Sequence, residues 1–259
     1  MPLFTHIAPK FEKGRILKTA MLENLRDFPR EFADIYYQDY ADGVVTGAEV
    51  KVGPDTLTIH PGIVKHRGRL YSLSEPAELA YQTTGRETAV KVRFLEGKED
   101  SDWSVYRSEI VLDERVEAGP AELELCRFKL KEGARLRQDY QNFRDLATEY
   151  NTVNLLHVPI AAYGQSTVSP VVMRLFGDEL LRRGSAEPQD LAFAMMCLNE
   201  GTLHRGVILH YIAGRLGIAY KDYGNADIHK YLARILDSAR GGGHRMGMSP
   251  GGGGRVIVD

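Results

Sequence analysis

Cysteine is nearly absent from this chain of 259 residues, and that scarcity removes several chemistries at once. Cys126 and Cys197 match neither a Cys-x-x-Cys pair nor a zinc knuckle, so neither a disulfide framework nor a structural zinc site is expected. Both read as buried thiols of a protein made in a reducing compartment. Charge of one sign is also lacking. Lys and Arg total 33 against 35 Asp and Glu, a formal net charge of −2, so the chain has no general attraction to nucleic acid or anionic lipid. No run approaches the roughly 18 consecutive apolar residues of a membrane-spanning helix. Residues 1–15, MPLFTHIAPKFEKGR, contain no apolar core of the kind that a secretory signal needs. The expectation is synthesis in the cytoplasm without Sec export, with release through lysis or assembly into a larger particle.

Catalytic signatures are missing too. No Gly-x-Ser-x-Gly elbow and no His-Glu-x-x-His helix occurs. Tyr163–Ser169, YGQSTVS, places glycine, serine and threonine before a helix, but a phosphate loop needs an earlier glycine and a following lysine, where Pro159 and Gln165 stand. Helix capping is the simpler reading. His60 and His66 lie six apart, as do His204 and His210, a spacing that does not put two imidazoles on one metal from one face. Glu96, Glu99, Asp100 and Asp102 crowd into one loop, whereas a glycosidase pair must face across a cleft. Neither cofactor nor metal is expected, and the chain is predicted to bind proteins and not to transform substrates.

What is present is enough apolar residue, 43%, to bury real cores, arranged with two different periods. Between Tyr40 and Tyr71, Val44, Ala48, Val50 and Val52 fall on even positions and Leu57, Ile59, Ile63 and Tyr71 on odd ones, the period-two signal of strands. Gly43, Gly53-Pro54-Asp55, Pro61-Gly62 and Gly68 punctuate them as turns. Further strands are predicted over 88–95, 104–112 and 122–130, seven or so in all. Helical spacing governs the flanks. From Arg15 to Tyr40, apolar residues recur at three- and four-residue steps, and Pro29 predicts two helical pieces meeting near Asp27 and Phe28, with Asp27 as N-cap. After Lys131, helices are predicted over 138–150, 170–183 (Ser169 as cap, Pro170 first, Gly184 closing), 187–199, 202–216 and 225–240.

The fold class is therefore α+β: a helical attachment segment over 1–40, an antiparallel β-sandwich or barrel over 41–135, a helical bundle over 136–240, and a Gly-rich tail over 241–259. The tail is too poor in apolar groups to offset its ordering entropy, apart from RVIVD at its end.

The hairpin stretch resembles a module of phage and prophage tail-fibre and baseplate proteins, through Gly43, Gly47, Val50, Leu57, Ile59, Pro61-Gly62-Ile63, Gly68-Arg69 and Tyr71. Ala147–Pro170, ATEYNTVNLLHVPIAAYGQSTVSP, is similar to the C-terminal half of proteins from the tail modules of Firmicutes prophages. Gly14–Pro29, GRILKTAMLENLRDFP, is similar to the opening of that family, so the likeness spans roughly residues 11–240. It implies a structural subunit of a phage-like tail or contractile injection particle, placed in the virion or tail-like particle as a baseplate or tail-fibre adaptor. Partners would be baseplate or tail-fibre proteins and copies of the chain itself, three by default, with no nucleic acid and no membrane span.

Three sets of residues are candidates for contact. Leu17, Met21, Leu25, Phe28, Phe32 and Tyr36 form the apolar stripe of the first helix and are the expected assembly interface. Val256, Ile257 and Val258 at the end of the tail suit addition as a strand to a neighbouring sheet edge. Trp103 and Tyr106 supply flat amphipathic rings for an alternative role, a carbohydrate-binding receptor module of a tail fibre.

Overall fold

The computed structural model describes residues 4–239. Its first element, α1 (Thr19–Tyr37), is one uninterrupted helix with Pro29 inside it, not the two pieces expected. Proline removes one ladder hydrogen bond, and because Leu25 and the residues around Pro29 are exposed, water can serve the carbonyl so released.

Among the described residues eleven strands follow, more than the seven or so expected, because several are only two to four residues long. They are β1 (Gly43–Gly47), β2 (Val50–Val52), β3 (Thr56–Ile59), β4 (Gly62–His66), β5 (Arg69–Leu73), β6 (Ala77–Ala80), β7 (Glu87–Phe94), β8 (Lys98–Glu99), β9 (Ser104–Val105), β10 (Ser108–Asp113) and β11 (Glu122–Lys129). All pairings between them are antiparallel, in the orders β1-β4-β5, β2-β3-β6, β10-β7-β11 and β8-β9. The glycines of the hairpin motif have a steric reason. Gly47 and Gly62 face each other in the β1/β4 register, and a Cβ on either would run into the other strand's backbone, so only glycine allows this approach. The predicted alternation holds in β3, where Leu57 and Ile59 are buried. It fails in β4, where Val64, Lys65 and His66 are all buried, because a central strand covered on both faces has no wet side.

The stretch 138–150 was expected to be helical but forms only a short 3-10 turn, Phe143–Ala147. Local polar side chains explain this. Asn142 accepts from the backbone N–H groups of Arg144 and Asp145, while Asp145 accepts from Gln141 N–H, Thr148 Oγ1 and both arms of Arg137, offering the backbone an alternative to the helix ladder. Four helices close the fold: α2 (Pro170–Arg183), α3 (Pro188–Asn199), α4 (Arg205–Leu216) and α5 (Asn225–Ser238). Pro170 opens α2 and a left-handed Gly184 ends it, as the sequence predicts, although Ser169 makes no side-chain cap.

Buried apolar residues sort into two clusters. One gathers Leu57, Ile59, Val64, Val90, Val92, Leu125 and Phe128 of the strands, with Val153 and Ile160 of the connector. The other gathers Phe143, Phe176, Phe193, Ile208, Ile212, Ile228 and Leu232, mostly of the helices. Burial of this kind contributes about 25 cal/mol per Å² of apolar surface. Cys126 lies in the first and Cys197 in the second, both as free thiols. Burial raises both, Cys197 to about 12, so neither is a ready nucleophile.

Candidate functional site

α1 buries none of its residues. Leu22, Leu25, Phe28, Phe32, Ile35 and Tyr36 along it, and Leu17 just before it, are 49–66% exposed. The expected stripe is therefore in the open, with two differences: Met21 is half-buried, and Leu22 and Ile35 join the exposed face. Met21, Leu25, Phe28, Phe32 and Ile35 follow one another at steps of four, three, four and three, the seam spacing of a helix that packs along another helix. Phe32 stacks on Tyr36 at 5.9 Å and Tyr36 on Tyr40 at 6.3 Å, which continues the aromatic ladder to the third residue past the helix end. Contiguous exposed apolar faces of this kind are rare in monomeric soluble proteins.

A buried lysine holds the helix in its place. Lys65 of β4 is 4% exposed, and its ammonium donates to the carbonyls of Tyr37, Gln38 (3.2 Å) and Tyr40 (2.5 Å). The last carbonyls of a helix lack intrahelical partners and carry partial negative charge, so one cation satisfies two of them, Tyr37 and its C-cap Gln38, together with the Tyr40 carbonyl just beyond. Next to it, His66 stacks on Phe94 at 4.0 Å, burial pushes its imidazole below the ordinary value, and Asp42 accepts from the Arg67 backbone N–H. No feature of the sequence flagged Lys65, because its acceptors lie 25 to 28 residues away and are backbone groups.

Lys91 in the middle of β7 is fully buried and plays a comparable part for the loop after β10. Its ammonium donates to Asp113 at 3.1 Å, Glu122 at 3.2 Å, the carbonyl of Glu117 at 3.0 Å and that of Arg115. The backbone N–H of Gly119, then Lys91 and Arg93, hold the Glu122 carboxyl at about 2. Every charge in this network has a partner, which makes it a scaffold and not a poised acid or base.

Between α1 and the strands lies a cavity of about 1210 Å³. Arg30, Ala33 and Asp34 of α1 line one side, and Val64, Val92 and Leu125 line its apolar floor. Arg69 closes part of the rim by donating to the Tyr106 hydroxyl at 3.1 Å with its guanidinium 4.0 Å above that ring. Tyr106 is thus engaged in a cation–π contact. Trp103, 71% exposed in the turn between β8 and β9, makes no ring contact with it among the described residues. The two rings proposed for sugar contact are not brought into one platform. Val256, Ile257 and Val258 lie outside the described residues.

Among the described residues no helix is long and apolar enough to cross a membrane. No protein-family model matches the chain, and no curated protein matches it. Three solved structures are similar to it in part. A crystal structure of TssK aligns over 90% of this chain and 69% of its own at 12% identity and a TM-score of 0.42. The TssK-TssF-TssG baseplate subcomplex of the type VI secretion system, from cryo-electron microscopy, aligns over 91% and 100% at 10% identity and 0.38. The baseplate complex from the type VI secretion system aligns over 90% and 100% at 13% identity and 0.34. Likeness at that level assigns no role, which is left to the chain's own residues.

Proposed function

We propose that this chain is a non-enzymatic structural subunit of a phage-like tail or contractile injection particle, a baseplate or tail-fibre adaptor that works by protein–protein assembly. The observation that carries this reading is α1, a 19-residue helix with no buried residue and a continuous apolar face. A helix of that kind is rarely stable on propensity alone. Covering the face against other helices would remove several large side chains from water, each worth about 1.5–3 kcal/mol when fully buried.

Lys65 fits the same reading. By fixing the end of α1 to β4 it gives the attachment helix a defined exit from the β region, so that a docked partner is placed and not merely tethered. The resemblance of the hairpin motif and of the 147–170 stretch to prophage tail-module proteins supplies the setting. Copies of the chain, three by default, and baseplate or tail-fibre subunits are the partners that α1 would meet, and the seam spacing of its apolar residues suits helices laid side by side.

Expression with the neighbouring genes of its locus tests this. Co-purification of the full chain with tail subunits, lost on Leu25→Asp with Phe32→Asp, is the expected result. A chain that stays monomeric at high concentration and is recovered alone from a lysate containing the assembled particle would sink it. A second reading, glycan binding by a receptor module, is supported by the exposure of Trp103. It requires glycan-array binding that disappears in Trp103→Ala.

A further inference from the structure

β5 is an edge strand. Among the described residues it pairs with β4 alone, and all five of its residues line the cavity beneath α1. The hairpin closes through Arg67 and Gly68, both at positive φ, the two-residue turn that makes His66 and Arg69 a hydrogen-bonded pair. Alternate residues of an antiparallel ladder turn both backbone groups to the same neighbour. His66↔Arg69, Val64↔Tyr71 and Gly62↔Leu73 therefore bond within the hairpin, and Leu70 and Ser72 turn their N–H and C=O groups outward. Those four groups have no backbone partner among the described residues. An open edge of this kind is a template for a further strand.

The chain carries a segment suited to it. Residues 255–259, RVIVD, combine β-branched residues with one charge of each sign. In a strand, Val256 and Val258 share one face, while Arg255, Ile257 and Asp259 share the other. The cavity offers matching sides: an apolar floor of Val64, Val92 and Leu125, and Arg30 with Asp34 on the α1 side. Residues 241–254 between α5 and this segment can reach about 46–50 Å when extended. A compact chain of this size has a radius of gyration of about 18 Å, so the tether can cross it. Linked to its own acceptor, the segment is present at an effective concentration in the millimolar range.

We propose that residues 255–259 add to the open edge of β5 in their own chain, beneath α1, with Val256 and Val258 on the apolar floor. The edge would then be closed in the free protein, which guards it against pairing with other chains. The inference does not rest on the assembly reading, and its test needs no partner.

Amide hydrogen exchange on the full chain compares the natural sequence with Val256→Asp plus Val258→Asp. Leu70 and Ser72 are expected to exchange at least about tenfold faster in the variant, with the amides of β4 and α5 unchanged as a control of folding. Equal rates at Leu70 and Ser72 would overturn the proposal. Protection that disappears on dilution would also overturn it, since the strand would then come from another copy. A second variant approaches from the acceptor side. Ser72→Pro removes an outward N–H at an edge, where proline is tolerated, and trypsin should then cut after Arg255 at least about tenfold faster than in the natural chain. An unchanged cleavage rate there counts against the proposal.

Discussion

α1 and α5 are both strongly amphipathic helices, yet they meet opposite fates. α5 buries Ile228, His229, Leu232, Ala233, Ile235 and Leu236, whereas α1, five residues longer, buries nothing. The difference is not in their periodicity. α5 has α2, α4 and the Phe143–Ala147 turn packed against it, with Phe143 stacked on His229 at 4.4 Å, while α1 touches the rest of the chain chiefly through its last turn and Lys65. Amphipathic spacing states that a face needs cover. Whether the cover comes from the same chain is decided by tertiary neighbours, and α1 is the helix whose face no described residue covers.

The comparison breaks most sharply on a core substitution. Leu232→Ala in α5 should cost about 2–5 kcal/mol, because a fully buried leucine leaves a cavity as well as lost transfer energy. Urea unfolding of the full chain measures it, and a loss below about 1 kcal/mol would mean that α5 is not a covered helix. Acid should separate the two helices next. Burial holds the His229 imidazole below its ordinary value of 6.5, and the neutral ring bridges Nε2 to the Phe143 carbonyl at 2.9 Å. A depressed histidine contributes stability that falls away as pH drops below the unfolded value, since the unfolded state then binds more protons. Asp145 follows in the same direction. Arg137 foremost holds its carboxyl well below the usual 3.8, so its contribution is present above that pH and fades below it. The contact between α5 and the 143–147 turn is expected to loosen from about pH 6.5 downward and again below about 3.8, seen as faster exchange of α5 amides.

Lys65→Met sharpens the comparison from the other side. The carbonyls of Tyr37, Gln38 and Tyr40 lose the ammonium that binds them, at a cost of about 1–3 kcal/mol, and the effect should be local: faster amide exchange in the last turn of α1 with the strands and α5 unchanged. A uniform loss across the whole chain would show that Lys65 is a core residue and not the fastening of one helix.

Much of this arrangement could be read from residue spacing, and the parts that could not share a cause. Leu57 and Ile59, the turn at Gly68, the start at Pro170 and the stop at Gly184 are local signals, and each lies where it was expected. Three departures involve partners that spacing does not display. Asn142 and Asp145 divert the backbone of a stretch with helical periodicity. Pro29 sits inside a single helix because its neighbourhood is wet. Lys65 and Lys91 look like the solvated lysines that strands usually carry, yet one binds carbonyls 25 to 28 residues away and the other carboxylates 22 and 31 residues away. A hint for Lys91 existed: Ala89, Val90 and Val92 around it are apolar on both parities, the mark of a strand covered on both faces. The exposed stripe of α1 was legible as a stripe, and only the fold showed that none of the described residues covers it.

The smallest expected effect on stability tests the comparison most directly. Leu25→Asp with Phe32→Asp replaces two large apolar side chains that are 51% and 62% exposed. Surface substitutions away from packed contacts usually stay within about 0.5 kcal/mol, so the urea midpoint and slope of the monomer should hardly move. Self-association followed by sedimentation should instead fall by at least about tenfold, because the carboxylates would have to be desolvated wherever the face is covered. If the double variant unfolds the chain, α1 is covered by its own protein and its likeness to α5 is restored. If the stability and the association both stay unchanged, the face is not a contact at all.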